Sequence, residues 1–301
     1  MNHNRSDNSM DWVPCALCGG SITKTHVKLQ RLAMCVDCGL LYVNPRPSFD
    51  RVISQYNQNY FLCNRPVNGG YENYLADKND IESTFDRRLA YLAKKLPISF
   101  SDQKTVLDVG CASGFFLNSA KKIGWQAEGL ETCSEMAREA VKQGHSVTIT
   151  NLENAKLEAG KYDMVTLWDV IEHLADPLEA VTKIRGLLKP AGLLTITTPD
   201  AGSILARVLR SNWLGFRSLD EHLYFFTRQT ITALLIKSGY QVLDISYTGK
   251  YLSISRITAR LRYYTRIGAK LLKFTEGKYF PTSVYLNPLD TIMVVAKKTA
   301  K

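Results

Sequence analysis

The sequence predicts an α/β protein whose core is a mostly parallel sheet, preceded by a small metal-binding ribbon. Hydrophobic strand-like segments alternate with amphipathic helical segments between residues 104 and 199, and the connections between them are short. This alternation is typical of a doubly wound sheet with helices on both faces. Two Cys-x-x-Cys pairs lie ahead of this region. We therefore expect a ribbon at 1–48, a helical lead-in at 49–100 and a sheet domain at 101–301.

The composition excludes several classes of protein. With 301 residues, 45% hydrophobic and 22% charged, the chain can bury a sizeable core, which a disordered or collagen-like chain cannot. No run approaches the ~18 apolar residues that span a bilayer, and the first residues lack the apolar core of a secretory signal. We therefore expect a cytoplasmic protein. Its 38 basic against 28 acidic residues give a net charge of +10, which favours an anionic partner: nucleic acid, a phosphorylated or nucleotide-linked substrate, or an acidic membrane.

The first four cysteines have the spacing of a zinc site. They form the pattern C-x2-C-x16-C-x2-C and are Cys15, Cys18, Cys35 and Cys38. Thiolates at this spacing can converge on one tetrahedral ion, as in a zinc ribbon. The alternatives are two disulfides or four separate thiols, and disulfides are disfavoured in a chain without a secretory signal. Because four thiolates fill the coordination shell, we expect a structural zinc ion and not a catalytic one.

The segments after the ribbon predict the elements of the sheet domain. In the lead-in, Phe85, Leu89, Leu92 and Leu96 recur at spacings of four and three, which predicts a helix with one apolar face. The predicted strands are KTVLDVG, WQAEGLE, SVTIT, YDMVTLWD and GLLTITT, with YQVLDISYTG and LDTIMVVAKK closing the sheet. The predicted helices between them are GFFLNSAKKIG, SEMAREAVKQG and PLEAVTKIRGLLK. Because ligands bind at the carboxyl ends of parallel strands, the functional site is expected there.

A turn of small residues follows the first of these strands, in VLDVGCASGFFL. Gly110, Ala112 and Gly114 let the backbone turn sharply into a helix whose N–H groups face the ligand crevice. Phe115 stands at the third glycine position of a dinucleotide fingerprint, and the Gly-Lys-Ser/Thr end of a phosphate loop is absent. At the tip of the neighbouring strand, Glu131 can accept hydrogen bonds from both hydroxyls of a ribose. Together these signals predict a small ribose-containing ligand held without phosphate-specific contacts.

With these residues the chain resembles the class I S-adenosylmethionine-dependent methyltransferases, over roughly residues 80 to 250. VLDVGCASG is similar to their first motif, KYDMVTLWDVIEHLADP to the fourth-strand motif of the ubiquinone-methyltransferase-like branch, and LLKPAGLLTITTPD to the fifth-strand motif. The resemblance implies a Rossmann-like sheet with an antiparallel last strand. It also implies that S-adenosylmethionine is bound by a set of residues at the strand ends, namely Asp108, Gly110, Cys111, Ala112, Gly114, Glu131, Asn151, Leu152 and Asp169.

The resemblance also implies roles within that set. Asp108 is expected to organise the turn and Glu131 to hold the ribose, while Asn151 and Leu152 are expected to contact the adenine ring. Asp is commoner than Asn at the position of Asn151 in this family. The combination of an N-terminal cysteine ribbon with an EHLYFFT stretch is similar to bacterial methyltransferases of sugar and surface-polysaccharide pathways.

Methyl transfer from a sulfonium requires an acceptor placed in line and, for a hydroxyl or a carbon acid, a base that removes a proton. Two histidines fall at the expected edge of the sheet: His173 just after the fourth strand and His222 after the fifth. Glu221, beside His222, can raise its basicity or contact the acceptor. We predict these three as catalytic residues. The alternative for each histidine is a hydrogen-bonded loop or capping residue.

Residues 250–280 are predicted to form a basic helical insertion between the two closing strands. The segment contains eight Lys or Arg and one acidic residue, and apolar residues such as Ile254, Ile257 and Leu261 recur at helical spacing. A helix packed on the core with a solvated charged face accounts for this pattern. The two functional alternatives are a lid that recognises a phosphorylated or nucleotide-linked acceptor, and a peripheral contact with the inner face of an anionic membrane.

The sequence therefore predicts a methyltransferase with a structural zinc ribbon. Its predicted reaction is O- or C-methylation of a sugar or glycan precursor, nucleotide-linked or lipid-linked, in polysaccharide or secondary-metabolite biosynthesis. O-methylation of a quinone or other phenolic small molecule is the second hypothesis. A nucleic-acid-binding module is the third, and it is disfavoured because the ribbon between Cys15 and Cys38 has no Tyr or Trp on which bases can stack.

Overall fold

Short strands form a small sheet around the cysteine pairs. The structure is a computed structural model that describes residues 10–25, 29–48, 51, 74–96, 103–217, 219–254, 256–257 and 283–300. The first strands are β1 (Met10–Asp11), β2 (Thr23–Thr25), β3 (Leu32–Cys35), β4 (Leu41–Val43) and β5 (Arg46–Pro47). β2, β3 and β4 pair antiparallel in sequence order, while β1 pairs with β5 as a separate ladder.

The predicted amphipathic helix is confirmed as α1 (Lys78–Lys95). Phe85, Leu89 and Leu92 are buried along one side of it, as their spacing requires. Lys94 and Lys95 lie in its last turn, where positive charge stabilises the helix dipole. The part of the lead-in at 52–73 lies outside the described residues.

Strands and helices then alternate along the chain as predicted. The first part contains β6 (Thr105–Val109), α2 (Phe115–Lys122), β7 (Gln126–Glu131), α3 (Ser134–Lys142), β8 (Ser146–Ile149), β9 (Tyr162–Trp168), α4 (Pro177–Leu187) and β10 (Leu188–Pro199). The second part contains α5 (Ile204–Leu209), β11 (Tyr224–Phe225), α6 (Arg228–Lys237), β12 (Tyr240–Tyr247), β13 (Lys250–Ser253), β14 (Ser283–Leu286) and β15 (Thr291–Lys298).

The central sheet has seven strands in the order β12-β15-β10-β9-β6-β7-β8. β6 to β10 pair parallel, whereas β15 runs antiparallel to both of its neighbours. The middle strands β6, β9 and β10 are buried almost throughout, because helices cover both faces. The predicted Rossmann-like fold with an antiparallel last strand is confirmed.

Each face of the sheet carries its own apolar layer. On one face, Phe85 of α1 and Phe116 of α2 belong to one buried cluster. On the other face, Ile184 of α4 and Leu234 of α6 belong to a second cluster, which also contains Cys15 of the ribbon. The ribbon is therefore packed against the second face of the sheet domain.

The prediction of a helix beginning at residue 250 is wrong for its first four residues. These form β13, which pairs antiparallel with β14, and the ring centroids of Tyr251 and Tyr285 lie 5.3 Å apart across the two strands. The partner strand lies about thirty residues further along the chain, so the helical periodicity of the local sequence could not indicate the pairing. Residues 254 and 256–257 are helical, and 258–282 lie outside the described residues.

Candidate functional site

The glycine-rich turn between β6 and α2 lies at the carboxyl edge of the parallel strands. Gly110 and Gly114 have φ angles of +76° and +80°, and Ala112 also has a positive φ of 46°. A Cβ atom at Gly110 would lie 2.7 Å from Val170 Cγ2, in the turn after β9. Glycine at this position therefore lets two turns of neighbouring strands approach each other closely.

Glu131 ends β7 and faces this turn. Its side chain is buried, and its two carboxylate oxygens accept hydrogen bonds from the backbone N–H groups of Ala112 (2.8 Å) and Cys133 (2.7 Å). Burial raises the pKa of Glu131, and the two backbone donors oppose that rise. The Thr132 hydroxyl also donates to Glu131 Oε1 at 3.4 Å, whereas Oε2 keeps a second acceptor position for a ribose hydroxyl. The turn and this carboxylate together fit an adenosyl ligand.

Asp108, at the end of β6, links two strands of the sheet. Its carboxyl is fully buried and accepts a hydrogen bond of 2.7 Å from the hydroxyl of Thr166 on β9. Burial raises the pKa of Asp108 to about 8, and the negative charge of Glu131 adds to the rise. No described hydrogen bond joins this carboxyl to the glycine-rich turn. That it organises the turn through its side chain stays a prediction.

The other predicted cofactor residues lie at the same edge of the sheet. Cys111 is buried in the turn after β6, against Gly129 of β7, where a Cβ would lie 2.4 Å from its sulfur. Asn151 and Leu152 follow β8: the Asn151 carboxamide oxygen accepts a hydrogen bond from the backbone N–H of Asn154, and Leu152 is buried. That these residues contact the cofactor stays a prediction.

Asp169, the residue after β9, is held by two polar partners. Its carboxylate lies 2.6 Å from Lys250 Nζ and accepts a hydrogen bond of 3.0 Å from the Thr197 hydroxyl. Burial opposes ionisation here, but the positive charges of Lys250 and Arg88 hold the pKa of Asp169 below its usual range. Asp169 is therefore a half-buried anion that neighbouring cations stabilise.

His173 and His222 meet, although 49 positions separate them in the chain. Their ring centroids lie 4.6 Å apart in an edge-to-face arrangement, and His173 Nδ1 lies 3.0 Å from the backbone oxygen of Glu221. Burial lowers the pKa of His173 to about 3 and that of His222 to about 4. Both imidazoles are therefore neutral at physiological pH and offer a lone pair to a proton.

Two glutamates flank this histidine pair. Glu172 is buried, and its Oε2 has no hydrogen-bond partner among the described residues. Burial and the charge of Asp169 raise the pKa of Glu172 to about 8, whereas burial and Asp220 raise that of Glu221 to about 7. The ligand atoms of Glu172, His173 and His222 lie within 4.8 Å of one another, a spacing that can also hold a cation.

The four ribbon cysteines come together in space. The Sγ atoms of Cys15 and Cys38 lie 3.4 Å apart, as do those of Cys18 and Cys35, and all four sulfurs lie within 4.8 Å of one another. Four thiolates about 2.3 Å from a tetrahedral zinc ion would be separated by roughly 3.8 Å, so the cluster fits that ion. The residues required for the predicted structural site are thus in place.

The sequence did not indicate two cations that act on Asp169. Lys250 was assigned to the basic helix, but it reaches Asp169 from β13. Arg88 places its guanidinium 5.2 Å from the centroid of the Trp168 ring. Arg88 is buried among the apolar positions of α1, and a charge on an apolar helix face is a signal for a buried partner. Lys250 has no comparable local signal.

Comparisons with known proteins identify the family. A family model described as a methyltransferase domain matches residues 78–245, more than half of the chain. The chain belongs to this methyltransferase family. The chain therefore carries a class I S-adenosylmethionine-dependent methyltransferase domain behind its cysteine cluster. Among described residues, no helix is long and apolar enough to cross a membrane.

Named relatives are similar over part of their length. The ubiquinone biosynthesis O-methyltransferase of Vibrio campbellii is 36% identical over 118 residues, which are 37% of this chain and 49% of the relative. The enzyme of the same name from Cereibacter sphaeroides is 27% identical over 206 residues, or 60% of this chain and 81% of the relative. The chain thus spans about half the length of the first of these relatives.

Solved structures show the same fold. A complex between the Haloferax volcanii Trm112 methyltransferase activator and a methyltransferase matches with a TM-score of 0.55 and 17% identity, covering 75% of this chain and 93% of that chain. A methyltransferase from Bacillus halodurans matches with a TM-score of 0.50 and 15% identity, covering 71% of this chain and all of that one. At these identities the likeness concerns the fold alone.

Proposed function

We propose that the protein transfers a methyl group from S-adenosylmethionine to a hydroxyl or an acidic carbon of a sugar or glycan precursor. The observation that carries this proposal is the half-buried, neutral pair of His173 and His222, whose rings meet at the carboxyl edge of the sheet. A neutral imidazole can accept the proton of the acceptor group, which becomes more acidic as its bond to the methyl group forms.

S-adenosylmethionine supplies an electrophilic methyl group on a positively charged sulfur. The residues of this chain then have three tasks in the proposed mechanism. Glu131 and the glycine-rich turn hold the adenosyl part, Asp169 supplies negative charge near the crevice, and the histidine pair removes the acceptor's proton. Glu221, whose pKa is raised to about 7, is a second candidate for that proton.

The polarity around the histidine pair favours a sugar over an apolar acceptor. Asp169, Glu172, Glu221 and Lys250 all lie in or beside this cluster. Such a set of donors and acceptors can satisfy several hydroxyl groups, whereas an apolar ring leaves buried polar groups unpaired. The net charge of +10 adds attraction for a phosphate-linked acceptor.

A quinone or another phenol is the second candidate acceptor. It is supported by the relatives named ubiquinone biosynthesis O-methyltransferase and by the similarity in the fourth-strand segment. A phenol is also more acidic than a sugar hydroxyl, so a weak base such as one of these half-buried imidazoles is sufficient for it.

The experiment uses the purified protein with methyl-labelled S-adenosylmethionine. It is offered a panel of nucleotide-linked and lipid-linked sugars and, separately, a panel of dihydroxybenzenes. Label in a sugar supports the proposal, and label in phenols alone transfers it to the second candidate. His222→Gln should then lower turnover by about 10²- to 10⁴-fold with cofactor affinity unchanged, and His3→Gln serves as the control. Full turnover in His222→Gln and in His173→Gln would contradict the proposed base.

A further inference from the structure

The strand that follows the predicted catalytic pair belongs to the ribbon. β11 joins the small cysteine sheet as its fourth strand, in the order β11-β4-β3-β2. Tyr224 pairs with Tyr42 and Phe225 with Leu41, across about 180 positions of sequence. His222 lies two residues before this strand. The ribbon sheet thus ends next to the candidate active site.

A single residue connects the ribbon to both histidines. The Leu223 N–H donates to the backbone oxygen of Glu172 (2.8 Å), and the Leu223 carbonyl accepts from the N–H of Val43 on the ribbon (2.9 Å). The backbone oxygen of Glu221, two positions earlier, contacts His173 Nδ1. Strand β4 therefore supports the segment that carries His222 and, through it, the short 3₁₀ helix after β9 (Ile171–His173).

Side chains reinforce this connection from the ribbon side. Arg31, just before β3, lies 2.6 Å from the carboxylate of Asp220. Arg46, in β5, donates from Nη1 to the Tyr224 hydroxyl and to the backbone oxygen of Ala175, both at 2.9 Å. Two ribbon arginines thus contact the sheet domain on either side of His222.

The cysteine cluster lies beside the same small sheet. Cys35 ends β3, the strand between β2 and β4, and both Cys35 and Cys15 are buried in the cluster that also contains Leu223 and Tyr224. An ion bound by the four sulfurs would hold the two knuckles together. Opening the cluster would loosen β3 and β4, and the cofactor-binding turn after β6 lies in a different sheet.

We propose that the cysteine ribbon positions the histidine pair of the active site, with Arg31 as a positioning residue that acts through Asp220. In this arrangement the ribbon fixes the place of His222 and His173, while the glycine-rich turn and Glu131 bind the cofactor independently of it. The role of the histidines as the base rests on the proposed function, but their placement by the ribbon does not.

The test needs no acceptor, so it stays separate from the choice of substrate. The full chain is labelled with ¹³C in its histidine rings, and the imidazole signals are recorded for wild type, Arg31→Ala, Arg31→Lys and Lys24→Ala. Lys24 is the control, because it is an exposed cation on β2 of the same ribbon. The affinity for S-adenosylmethionine is measured on each variant by calorimetry.

We expect Arg31→Ala to shift the His173 and His222 signals while the cofactor dissociation constant stays within about twofold, a change below 0.5 kcal/mol. Arg31→Lys should restore the signals in part, since it keeps the charge, and Lys24→Ala should leave them in place. Removal of the metal with a thiol-reactive mercurial and a chelator should shift the same two signals, and zinc should restore them. If the His173 and His222 signals do not move, or if they move but cofactor affinity is lost as well, the proposal is overturned.

Discussion

Replacing Glu131 by glutamine tests the cofactor site with little change in shape. The backbone N–H groups of Ala112 and Cys133 donate to different oxygens of the carboxylate, and the Thr132 hydroxyl makes a longer contact with the oxygen that Cys133 uses. In the variant, an amide NH₂ group replaces one acceptor oxygen and faces a buried backbone donor. One donor therefore loses its partner, which costs about 1 to 3 kcal/mol, and the other loses a charge-assisted bond. We expect the free energy of unfolding to fall by about 2 to 4 kcal/mol.

The same change should weaken cofactor binding. A carboxylate can accept both hydroxyls of a ribose, whereas an amide offers one acceptor oxygen and one donor group. The loss of one charge-assisted hydrogen bond corresponds to a dissociation constant about 10- to 100-fold higher for S-adenosylmethionine. Calorimetric titration measures this constant, and urea denaturation measures stability on the same samples.

Glu128→Gln is the matched control for this experiment. Glu128 lies on the same strand, but it is partly exposed and its main partners are the side chains of Lys161 and Tyr162. Its loss should cost less than about 1 kcal/mol and leave cofactor affinity unchanged. If Glu131→Gln binds S-adenosylmethionine within about twofold of wild type, the carboxylate is not a ribose ligand and the reasoning fails.

Three further predictions concern the turn, the histidines and the ribbon. In urea unfolding, Gly114→Ala should lower the free energy of unfolding by roughly 1 to 3 kcal/mol more than Gly124→Ala. Both glycines have positive φ, but only a Cβ at Gly114 would meet a neighbour, at 2.9 Å. Equal losses in the two variants would contradict this reasoning. NMR should show His173 and His222 unprotonated at pH 5, since burial lowers their pKa values to about 3 and about 4; protonation near pH 6.5 would refute it. Because unfolded histidine titrates near ~6.5, the pair stabilises the fold above that pH, and this contribution is lost as pH falls toward 4. We expect about one zinc ion per chain in the wild type and less in Cys15→Ser, as measured by atomic emission. An unchanged zinc content would argue against the four-sulfur site.

Local sequence patterns were sufficient to predict the strands and the turn of the candidate cofactor site. The strands that carry Asp108 and Glu131 are short segments of five and six residues, and the turn after the first contains residues that adopt positive φ. Each of these features depends on a few neighbouring positions, so they can be recognised without knowledge of the rest of the chain. The ribbon cysteines are predictable for the same reason, because their spacing alone defines the cluster.

The acceptor half depends on contacts that no local pattern contains. Lys250 reaches Asp169 across 81 positions, and β11 pairs with β4 across about 180. The two residues of β11 are too few to show a strand period. The apolar stripe after residue 250 indicated a helix, and only the pairing with β14 makes the first four residues a strand. In each case tertiary contact overrides local propensity.

The two halves of the site therefore rest on different supports, which has a mechanistic consequence. The carboxyl ends of β6 and β7 place the cofactor residues, whereas the ribbon sheet and the short helix after β9 place His222 and His173. Catalysis requires the acceptor atom to lie in line with the methyl carbon and its proton to lie within reach of the base, so an error in either support reduces turnover. Loss of Glu131 should raise the cofactor dissociation constant, whereas disturbance of the ribbon should displace the imidazoles without that effect. Independent supports of this kind let the acceptor pocket change while the cofactor site stays the same.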